Sequence, residues 1–204
     1  QISVGVPRED GKGQDIVIHC AGKIGGIKYT LEHPGEVFYD NAAMALNIME
    51  EARKENVEKL TFVGTACSYP RKIDVPYDEA DLWSGYPDQI NATYGLAKKF
   101  ALVQERAYRQ EYNFNSIHLL LANLYGPCDD FSLEYSHVVA ALIRKTIDAV
   151  EKNREEIVVW GTGNASREFL FVEDAAEAVV LATERYDKEY PINIGTGKEI
   201  TIKE

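Results

Sequence analysis

Short apolar runs rich in β-branched residues alternate with longer stretches of helical periodicity along this chain. The runs predicted as buried strands are 15–21, 60–65, 116–122, 157–160, 168–172 and 192–194. The stretches predicted as helices are 37–55, 94–112, 136–150 and a segment opened by a predicted capping pair, Asp174 and Glu177. Strands that are connected by helices form parallel sheets covered on both faces. The sequence therefore predicts an α/β fold with a doubly wound parallel sheet.

Three segments lack such patterns and are predicted to be loops. Residues 1–14 are polar and contain glycine, which indicates a loop or a surface segment, and 68–89 contains three prolines. The third segment, 22–26, is glycine-rich and follows the first predicted strand. Because ligands bind at the carboxyl ends of strands in open α/β sheets, this loop is a candidate ligand-binding segment. Its glycines lack the arrangement of the dinucleotide fingerprint, which opens a helix directly.

Composition limits the classes of function. The 204 residues are 45% hydrophobic and 27% charged, which is enough for one globular core. The net charge of −11 argues against a nucleic-acid partner, although a small phosphorylated ligand needs only local cations. No apolar run has the length of a membrane span, and no signal segment is recognisable. The cysteines Cys20, Cys67 and Cys128 lack metal-ligand spacing, so we expect reduced thiols, a cytoplasmic protein and no metal.

A strand end and a helix start carry residues suited to acid–base chemistry. Thr65 and Cys67 place a hydroxyl and a thiol after the second predicted strand. Tyr94 and Lys98 lie four residues apart at the start of the second predicted helix, so they share a helix face. Tyrosine has an ordinary pKa of about 10, and a nearby ammonium favours its ionised form. The spacing alone is weak evidence, because a chain with 12 tyrosines is expected to contain such a pair by chance.

The predicted helix 37–55 has an unusually wide apolar surface. One stripe consists of Phe38, Ala42, Ala45, Met49 and Ala52, and a second of Val37, Met44 and Ile48. This surface exceeds what one sheet face usually covers. Two interpretations remain open, which are deep burial within the subunit and a subunit interface.

Six motifs occur in the order of one known family. They are 21–27 (AGKIGGI), 64–70 (GTACSYP), 94–98 (YGLAK), 123–127 (NLYGP), 136–138 (SHV), and 160–163 with 167–169 (WGTG and REF). In these motifs the chain resembles the GDP-L-fucose synthase family, a branch of the extended short-chain dehydrogenases/reductases. The cysteine two residues after the strand-end hydroxyl, the SHV and the WGTG…REF favour this branch over other nucleotide-sugar epimerases. The resemblance covers nearly the whole chain.

The resemblance also implies a domain organisation. Family members begin with a strand and a glycine-rich phosphate loop and continue past the position of Glu204, so the chain is expected to lack both ends of such an enzyme. Residues 1–128 would form a Rossmann-like NAD(P)-binding domain without its first βαβ unit. Residues 129–204 would combine parts of a smaller substrate domain with strands that return to the Rossmann sheet. Thr65 stands where serine is common, and Ala122 where threonine is common.

The activity that the resemblance implies is NADP-dependent epimerisation at C3 and C5 and reduction at C4 of GDP-4-keto-6-deoxymannose, which gives GDP-L-fucose. Tyr94 would donate a proton to the C4 oxygen, Lys98 would lower the pKa of Tyr94 and bind the nicotinamide ribose, and Thr65 would hold the C4 oxygen. Cys67 and His137 would exchange protons at C3 and C5, since a thiol and an imidazole titrate within about two units of neutral pH.

The resemblance also assigns binding residues and partners. The implied contacts to NADP are made by Ala21, Gly22, Val63, Gly64, Thr65, Ala66, Tyr94, Lys98, Leu121, Ala122, Asn123, Leu124 and His137. The substrate-binding positions are Lys145, Trp160 and Arg167, of which the two cations suit a pyrophosphate. The expected assembly is a homodimer, without nucleic-acid or membrane partners.

Two alternatives remain open at this point. In another nucleotide-sugar epimerase or dehydratase, Tyr94 and Lys98 would serve oxidation at C4 without a Cys67–His137 pair. In a non-catalytic fragment or binding module, the fold would persist without turnover, and the 204 residues alone are expected to be inactive. The sequence leaves open the sugar, the nucleotide base and the choice between NADP and NAD, because the discriminating ribose contacts usually lie in the first βαβ unit.

Overall fold

The computed structural model describes residues 3–7 and 13–204. Its strands are β1 Ser3–Pro7, β2 Gln14–His19, β3 Lys59–Thr65, β4 Ser116–Leu121, β5 Asn123–Tyr125, β6 Ser166–Phe171, β7 Ile192–Ile194 and β8 Glu199–Thr201. Its helices are α1 Ile27–Glu32, α2 Pro34–Lys54, α3 Ala92–Tyr112, α4 Val138–Glu151 and α5 Val172–Arg185, with 3-10 turns at Ala66–Ser68 and Glu79–Trp83.

The main sheet has the strand order β1-β2-β3-β4-β7. Strands β2, β3, β4 and β7 are parallel, and β1 pairs with β2 in the antiparallel sense. Helices α2 and α3 cover one face and α5 covers the other. The predicted doubly wound, Rossmann-like α/β fold is therefore confirmed. A smaller sheet of β5, β6 and β8 lies beside it, with β5 and β6 parallel and β8 antiparallel to β6.

Each face of the main sheet has its own apolar core. The core beneath α2 and α3 contains Val17, Ala45, Met49, Ala52, Val57, Leu60, Phe62, Ala101 and Phe114. The core beneath α5 contains Ile117, Leu119, Leu121, Leu170, Ala175 and Val179. All six residues of β4 are buried, as expected for a central parallel strand that is covered on both sides. These cores hold the carboxyl ends of the parallel strands at one edge.

The prediction of a loop over residues 1–14 is wrong for Ser3–Pro7, which forms β1. The prediction for 1–2 and 8–12 lies outside the described residues. Alternating valines at positions 4 and 6 are compatible with a strand, but the glycine and polar residues around them favoured a loop. Pairing decides the outcome here, because β1 satisfies backbone groups along the outer side of β2.

The prediction of a strand over 157–160 is also wrong. This run forms no strand, and Val158 and Trp160 are 72% and 70% exposed. The Nζ atom of Lys145 donates a hydrogen bond to the Val158 carbonyl, at 2.8 Å. A run with high β-propensity needs a neighbouring strand to become part of a sheet, and none of the described strands lies against this one.

The predicted capping pair of Asp174 and Glu177 is not formed. Strand β6 runs directly into α5, so the N-cap position falls on Phe171, and no side chain caps the helix. Asp174 instead lies in the first turn of α5. A carboxylate in that position is favoured by the helix dipole without acting as a cap.

The apolar surface of α2 is partly buried within the chain and partly exposed. Val37, Ala45, Met49 and Ala52 are buried within the chain, together with the polar Asn41. Other large apolar side chains of α2 remain exposed, among them Phe38, Tyr39 and Leu46. Among the described residues, no helix combines the length and the apolar character needed to cross a bilayer.

Candidate active site

Three predicted cofactor-binding segments meet at the carboxyl edge of the main sheet. Thr65 at the end of β3 lies opposite Leu121 at the end of β4, and Ala21 follows the end of β2. The Ala122 backbone N–H donates to the carbonyl of Ile194 in β7, at 3.0 Å, which fixes the chain just beyond β4. Asn123 is exposed, and its amide donates to the Glu168 carbonyl, at 3.0 Å. The edge therefore combines the segments 21–22, 63–66 and 121–124.

Lys98 joins helix α3 to this edge. Its side chain is buried, and its Nζ atom donates to the carbonyls of Ala21, at 2.7 Å, and Val63, at 3.2 Å. The same atom lies 5.0 Å from the centroid of the Phe62 ring. Burial lowers the pKa of Lys98 to about 8, partly opposed by Cys20. The ammonium is thus held by backbone carbonyls that belong to two predicted cofactor-binding segments.

Tyr94 lies one turn before Lys98, near the start of α3. Burial raises the pKa of Tyr94 above its ordinary value, and the neighbouring Cys67 adds to the rise. The structure differs here from the expectation that Lys98 lowers the pKa of Tyr94. The reason is that the ammonium points to the two strand-end carbonyls, and burial dominates at the phenol.

Thr65, Cys67 and Tyr94 are brought together by a close approach of α3 to the turn after β3. Thr65 caps the 3-10 turn Ala66–Ser68, and its Oγ1 accepts a hydrogen bond from the Cys67 N–H, at 3.2 Å. The Ser68 hydroxyl donates to the Gly95 carbonyl, at 2.9 Å. A Cβ atom on Gly95 would lie 2.2 Å from the Cys67 carbonyl oxygen, so only glycine permits this approach.

The Cys67 thiol has a raised pKa, whereas the sequence predicted a thiol tuned toward neutral pH. Burial is the main cause, and the hydrogen bond from Thr65 and the charge of Arg167 partly oppose it. Spacing along the chain shows that a thiol follows the strand but not how deeply it is enclosed. Arg167 on β6 lies near enough for its charge to act on this thiol.

The predicted substrate-binding residues lie on α4, on β6 and in the segment between them. Lys145 on α4 lies over the Trp160 ring, with Nζ 4.9 Å from the centroid, so these two residues are together. Arg167 is exposed on β6 and donates to the Ser166 carbonyl. His137 is exposed at the N-cap position of α4. In the described part of the chain, no hydrogen bond or ion pair joins His137 to Cys67.

Asn41 supports the site although the sequence analysis did not identify it. It is buried on α2, and its Oδ1 accepts from the Lys23 N–H, at 2.9 Å, while its Nδ2 donates to the Lys23 carbonyl, at 2.8 Å. These bonds fix the glycine-rich loop after β2. The sequence signal that could have identified Asn41 is its place as a polar residue within the apolar stripe of a helix. Glu168 similarly accepts from the Gly197 N–H, at 2.7 Å, and anchors the loop after β7.

Comparison with known families decides the membership of this chain. Residues 9–195 match the NAD dependent epimerase/dehydratase family. The chain belongs to this family. Its Rossmann-like sheet and its Tyr94–Lys98 pair at the sheet edge agree with that membership.

Named relatives confirm the predicted resemblance to GDP-L-fucose synthases. A probable GDP-L-fucose synthase 1 of Oryza sativa subsp. japonica is 40% identical over 189 residues, which cover 92% of this chain and 58% of the relative. A GDP-L-fucose synthase of Sinorhizobium fredii (strain NBRC 101917 / NGR234) is 40% identical over 188 residues, which cover 92% and 60%. The chain thus spans about three-fifths of the length of these relatives.

Solved structures agree with the fold. A GDP-L-fucose synthetase from Naegleria fowleri bound to NADP superposes with a TM-score of 0.83 at 28% identity, covering 92% of this chain and 62% of that one. A UDP-glucose 4-epimerase from Thermotoga maritima gives a TM-score of 0.79 at 26% identity, covering 93% and 58%. Since both enzymes superpose well, the fold alone does not separate the two activities.

Proposed function

We propose that the full-length enzyme containing this segment epimerises GDP-4-keto-6-deoxymannose at C3 and C5 and reduces it at C4, giving GDP-L-fucose. The observation that carries the proposal is the assembly of Thr65, Cys67, Tyr94 and Lys98 at one edge of the main sheet. The rice and Sinorhizobium relatives, which are named for this product, support the choice of substrate.

NADP is the proposed cofactor, as in the Naegleria structure that contains it. The residues present fit its nicotinamide ribose, because the Lys98 ammonium has three donors and two of them bind the carbonyls of Ala21 and Val63. The third donor remains for a ribose hydroxyl. A Cβ atom on Gly22 would lie 3.3 Å from Lys98 Nζ, so glycine keeps this approach open. When bound, the reduced nicotinamide supplies a hydride to C4.

In the reduction, Tyr94 would donate its phenolic proton to the C4 oxygen. Its raised pKa keeps that proton in place at neutral pH, so the phenol is available as an acid. Thr65 Oγ1 accepts a hydrogen bond from the Cys67 N–H, and its own proton, which is directed to the Cys67 thiol in the free site, would turn to the same substrate oxygen. The two hydroxyls would then stabilise the negative charge that develops on that oxygen.

In the epimerisation, Cys67 and His137 would act as the acid–base pair. The C4 ketone acidifies C3 and C5, so removing a proton on one face and returning one on the other inverts each centre. The raised pKa keeps the Cys67 thiol protonated in the free site. Arg167, whose charge partly opposes this rise, would favour the thiolate when Cys67 takes a proton from or returns one to the anionic substrate. We propose that Arg167, Lys145 and Trp160 hold that substrate.

The activity is tested with the full-length enzyme, NADPH and GDP-4-keto-6-deoxymannose in heavy water. Proton NMR of the product should show deuterium at C3 and C5 and a GDP-L-fucose configuration at all three altered centres. A product that is altered at C4 alone, with protons retained at C3 and C5, would support a 4-epimerase or a simple reductase instead. Absence of both reactions would support the binding-module alternative.

We further propose a homodimer built on α2 and α3. Tyr39 and Leu46 on α2 and Val103 on α3 are 71%, 45% and 53% exposed although they are large and apolar. Leu46→Glu in the full-length enzyme is expected to shift sedimentation from dimer to monomer at micromolar concentration, because an interface cannot bury an unpaired carboxylate cheaply. Val180→Glu is the matched control, since Val180 is 48% exposed on α5, on the opposite face of the sheet. A dimer that survives Leu46→Glu, or a monomeric wild type, would contradict this interface.

Two further proposals concern organisation and compartment. We propose residues 1–128 as the cofactor-binding part and 129–204 as the part that mixes substrate-binding segments with returning Rossmann elements. The separate sheet of β5, β6 and β8, and the return of β7 to the main sheet, support this division. We also propose a cytoplasmic location, which the unpaired state of Cys20, Cys67 and Cys128 supports.

A further inference from the structure

Three aromatic rings form a row beneath helix α3. His19, Phe62 and His118 are direct neighbours across β2, β3 and β4, so they point to the same face of the sheet. The ring centroids of His19 and Phe62 are 5.0 Å apart, and those of Phe62 and His118 are 5.2 Å apart with the planes nearly parallel. The row lies next to the carboxyl edge that carries the candidate active site.

Lys98 rests on the middle ring of this row. Its Nζ atom is 5.0 Å from the centroid of Phe62, within the range of a cation–π contact. The same atom donates hydrogen bonds to the carbonyls of Ala21 and Val63. The Phe62 ring and the two carbonyls therefore contact the same ammonium.

The outer ring, His118, is held by a buried carboxylate. His118 is 1% exposed, and its Nδ1 lies 3.0 Å from Oε1 of Glu105, which is 4% exposed. We assign the proton to Nδ1, because a carboxylate can only accept. Glu105 lies seven residues after Lys98 on α3, so both side chains descend from one face of the helix toward the row. The hydrogen bond fixes the plane of the imidazole that stacks on Phe62.

The other side of the His118 ring abuts the backbone just before Thr65. A Cβ atom on Gly64 would lie 2.3 Å from His118 Nε2, so the imidazole occupies the space that a side chain would need. Nε2 has no hydrogen-bond partner among the described residues. The imidazole therefore packs against the Gly64 backbone, directly before Thr65.

We propose that His118, oriented by Glu105, is a positioning residue for the Lys98 ammonium and the Thr65 hydroxyl. It touches neither substrate nor cofactor. It supports the Phe62 ring on one side and the Gly64 backbone on the other. Its catalytic consequence rests on the function proposed above, whereas its effect on Lys98 does not.

A labelling experiment tests the positioning without any substrate. The variant is Glu105→Leu/His118→Leu in the full-length protein, which removes both polar partners so that no buried polar group is left alone. Competitive acetylation with acetic anhydride, read by mass spectrometry, should show a several-fold faster reaction at Lys98. Lys59 is the internal control, because it is buried at the opposite end of β3 and bound to Asp187 at 2.7 Å. An unchanged rate at Lys98, or an equal rise at Lys59, would overturn the proposal.

Kinetics then test its consequence for the reduction. Glu105→Leu should lower kcat by about tenfold, since small misplacements of reacting groups are costly, and leave KM for NADPH nearly unchanged. Glu105→Gln, which retains an acceptor for Nδ1–H, should restore most of kcat. The matched control is Thr61→Val/Thr183→Val, which removes a buried pair on the opposite face with hydroxyls 2.8 Å apart. Equal losses of kcat in the control, or no rescue by Glu105→Gln, would show a structural role only.

The two experiments separate the possible failures. A wild-type enzyme that does not reduce the 4-keto sugar would refute the proposed function, and the labelling of Lys98 would still decide the positioning. Conversely, an active wild type whose Lys98 is labelled at the same rate in the double variant would refute the positioning alone.

Discussion

Tyr94→Phe is expected to reduce the rate of C4 reduction by about 10²- to 10⁴-fold, the usual contribution of a general acid, while proton exchange at C3 and C5 continues. The phenol acts only when the hydride arrives and the C4 oxygen needs a proton. Its raised pKa means that it carries this proton at neutral pH, and phenylalanine removes the proton with little change in shape. Exchange at C3 and C5 needs the ketone and a separate acid–base pair, so it should survive.

The measurement for this prediction is single-turnover oxidation of NADPH, followed in parallel with deuterium uptake into the sugar. Tyr108→Phe provides the matched control, because Tyr108 lies on the same helix and donates to Glu50 at 2.8 Å, far from the sheet edge. The control should lose this partly buried hydrogen bond and keep its rate of reduction. A wild-type rate of reduction in the Tyr94→Phe variant would show that Tyr94 is not the proton donor.

The sheet edge was predictable because parallel strands carry their own signature. Buried β-branched runs that end in glycine, hydroxyl or amide residues predict where strands stop, and strand ends in one parallel sheet meet at one edge. On this basis the predicted strand ends at positions 21, 65 and 122 fall within two residues of the observed ends of β2, β3 and β4. Strand β1 was not predicted, because its formation depends on pairing with β2 and not on its own composition.

Burial and register account for what the sequence did not predict in the site. The motifs shared with the family pointed to Tyr94 and Cys67, but the rise of both pKa values follows from enclosure, which needs the packed structure. Likewise, His118 and Glu105 lie 13 residues apart without a motif, and their contact depends on the register of β4 against α3. Asn41 shows the intermediate case, since a polar residue in an apolar stripe was visible but had no assigned partner.

Cys67→Ser is expected to abolish most exchange of solvent deuterium into C3 and C5, again by about 10²- to 10⁴-fold. The substitution keeps the shape and the hydrogen bond from the residue's own N–H to Thr65. A hydroxyl, however, is a much weaker acid than a thiol and hardly ionises near neutral pH. The site already disfavours the anion, because burial raises the pKa of Cys67, so a serine there should be inert as a base.

The same variant should bind NADPH and should reduce a substrate that has already been epimerised at a rate close to that of the wild type. The reduction uses Tyr94 and Thr65, and serine leaves both in place. Cys128→Ser is the matched control, because Cys128 is exposed and lies outside the site. Proton NMR of the 4-keto sugar in heavy water gives both rates. Normal exchange in Cys67→Ser would show that the thiol only packs, and it would favour a 4-epimerase or dehydratase, in which the sheet-edge tyrosine and lysine act without a cysteine.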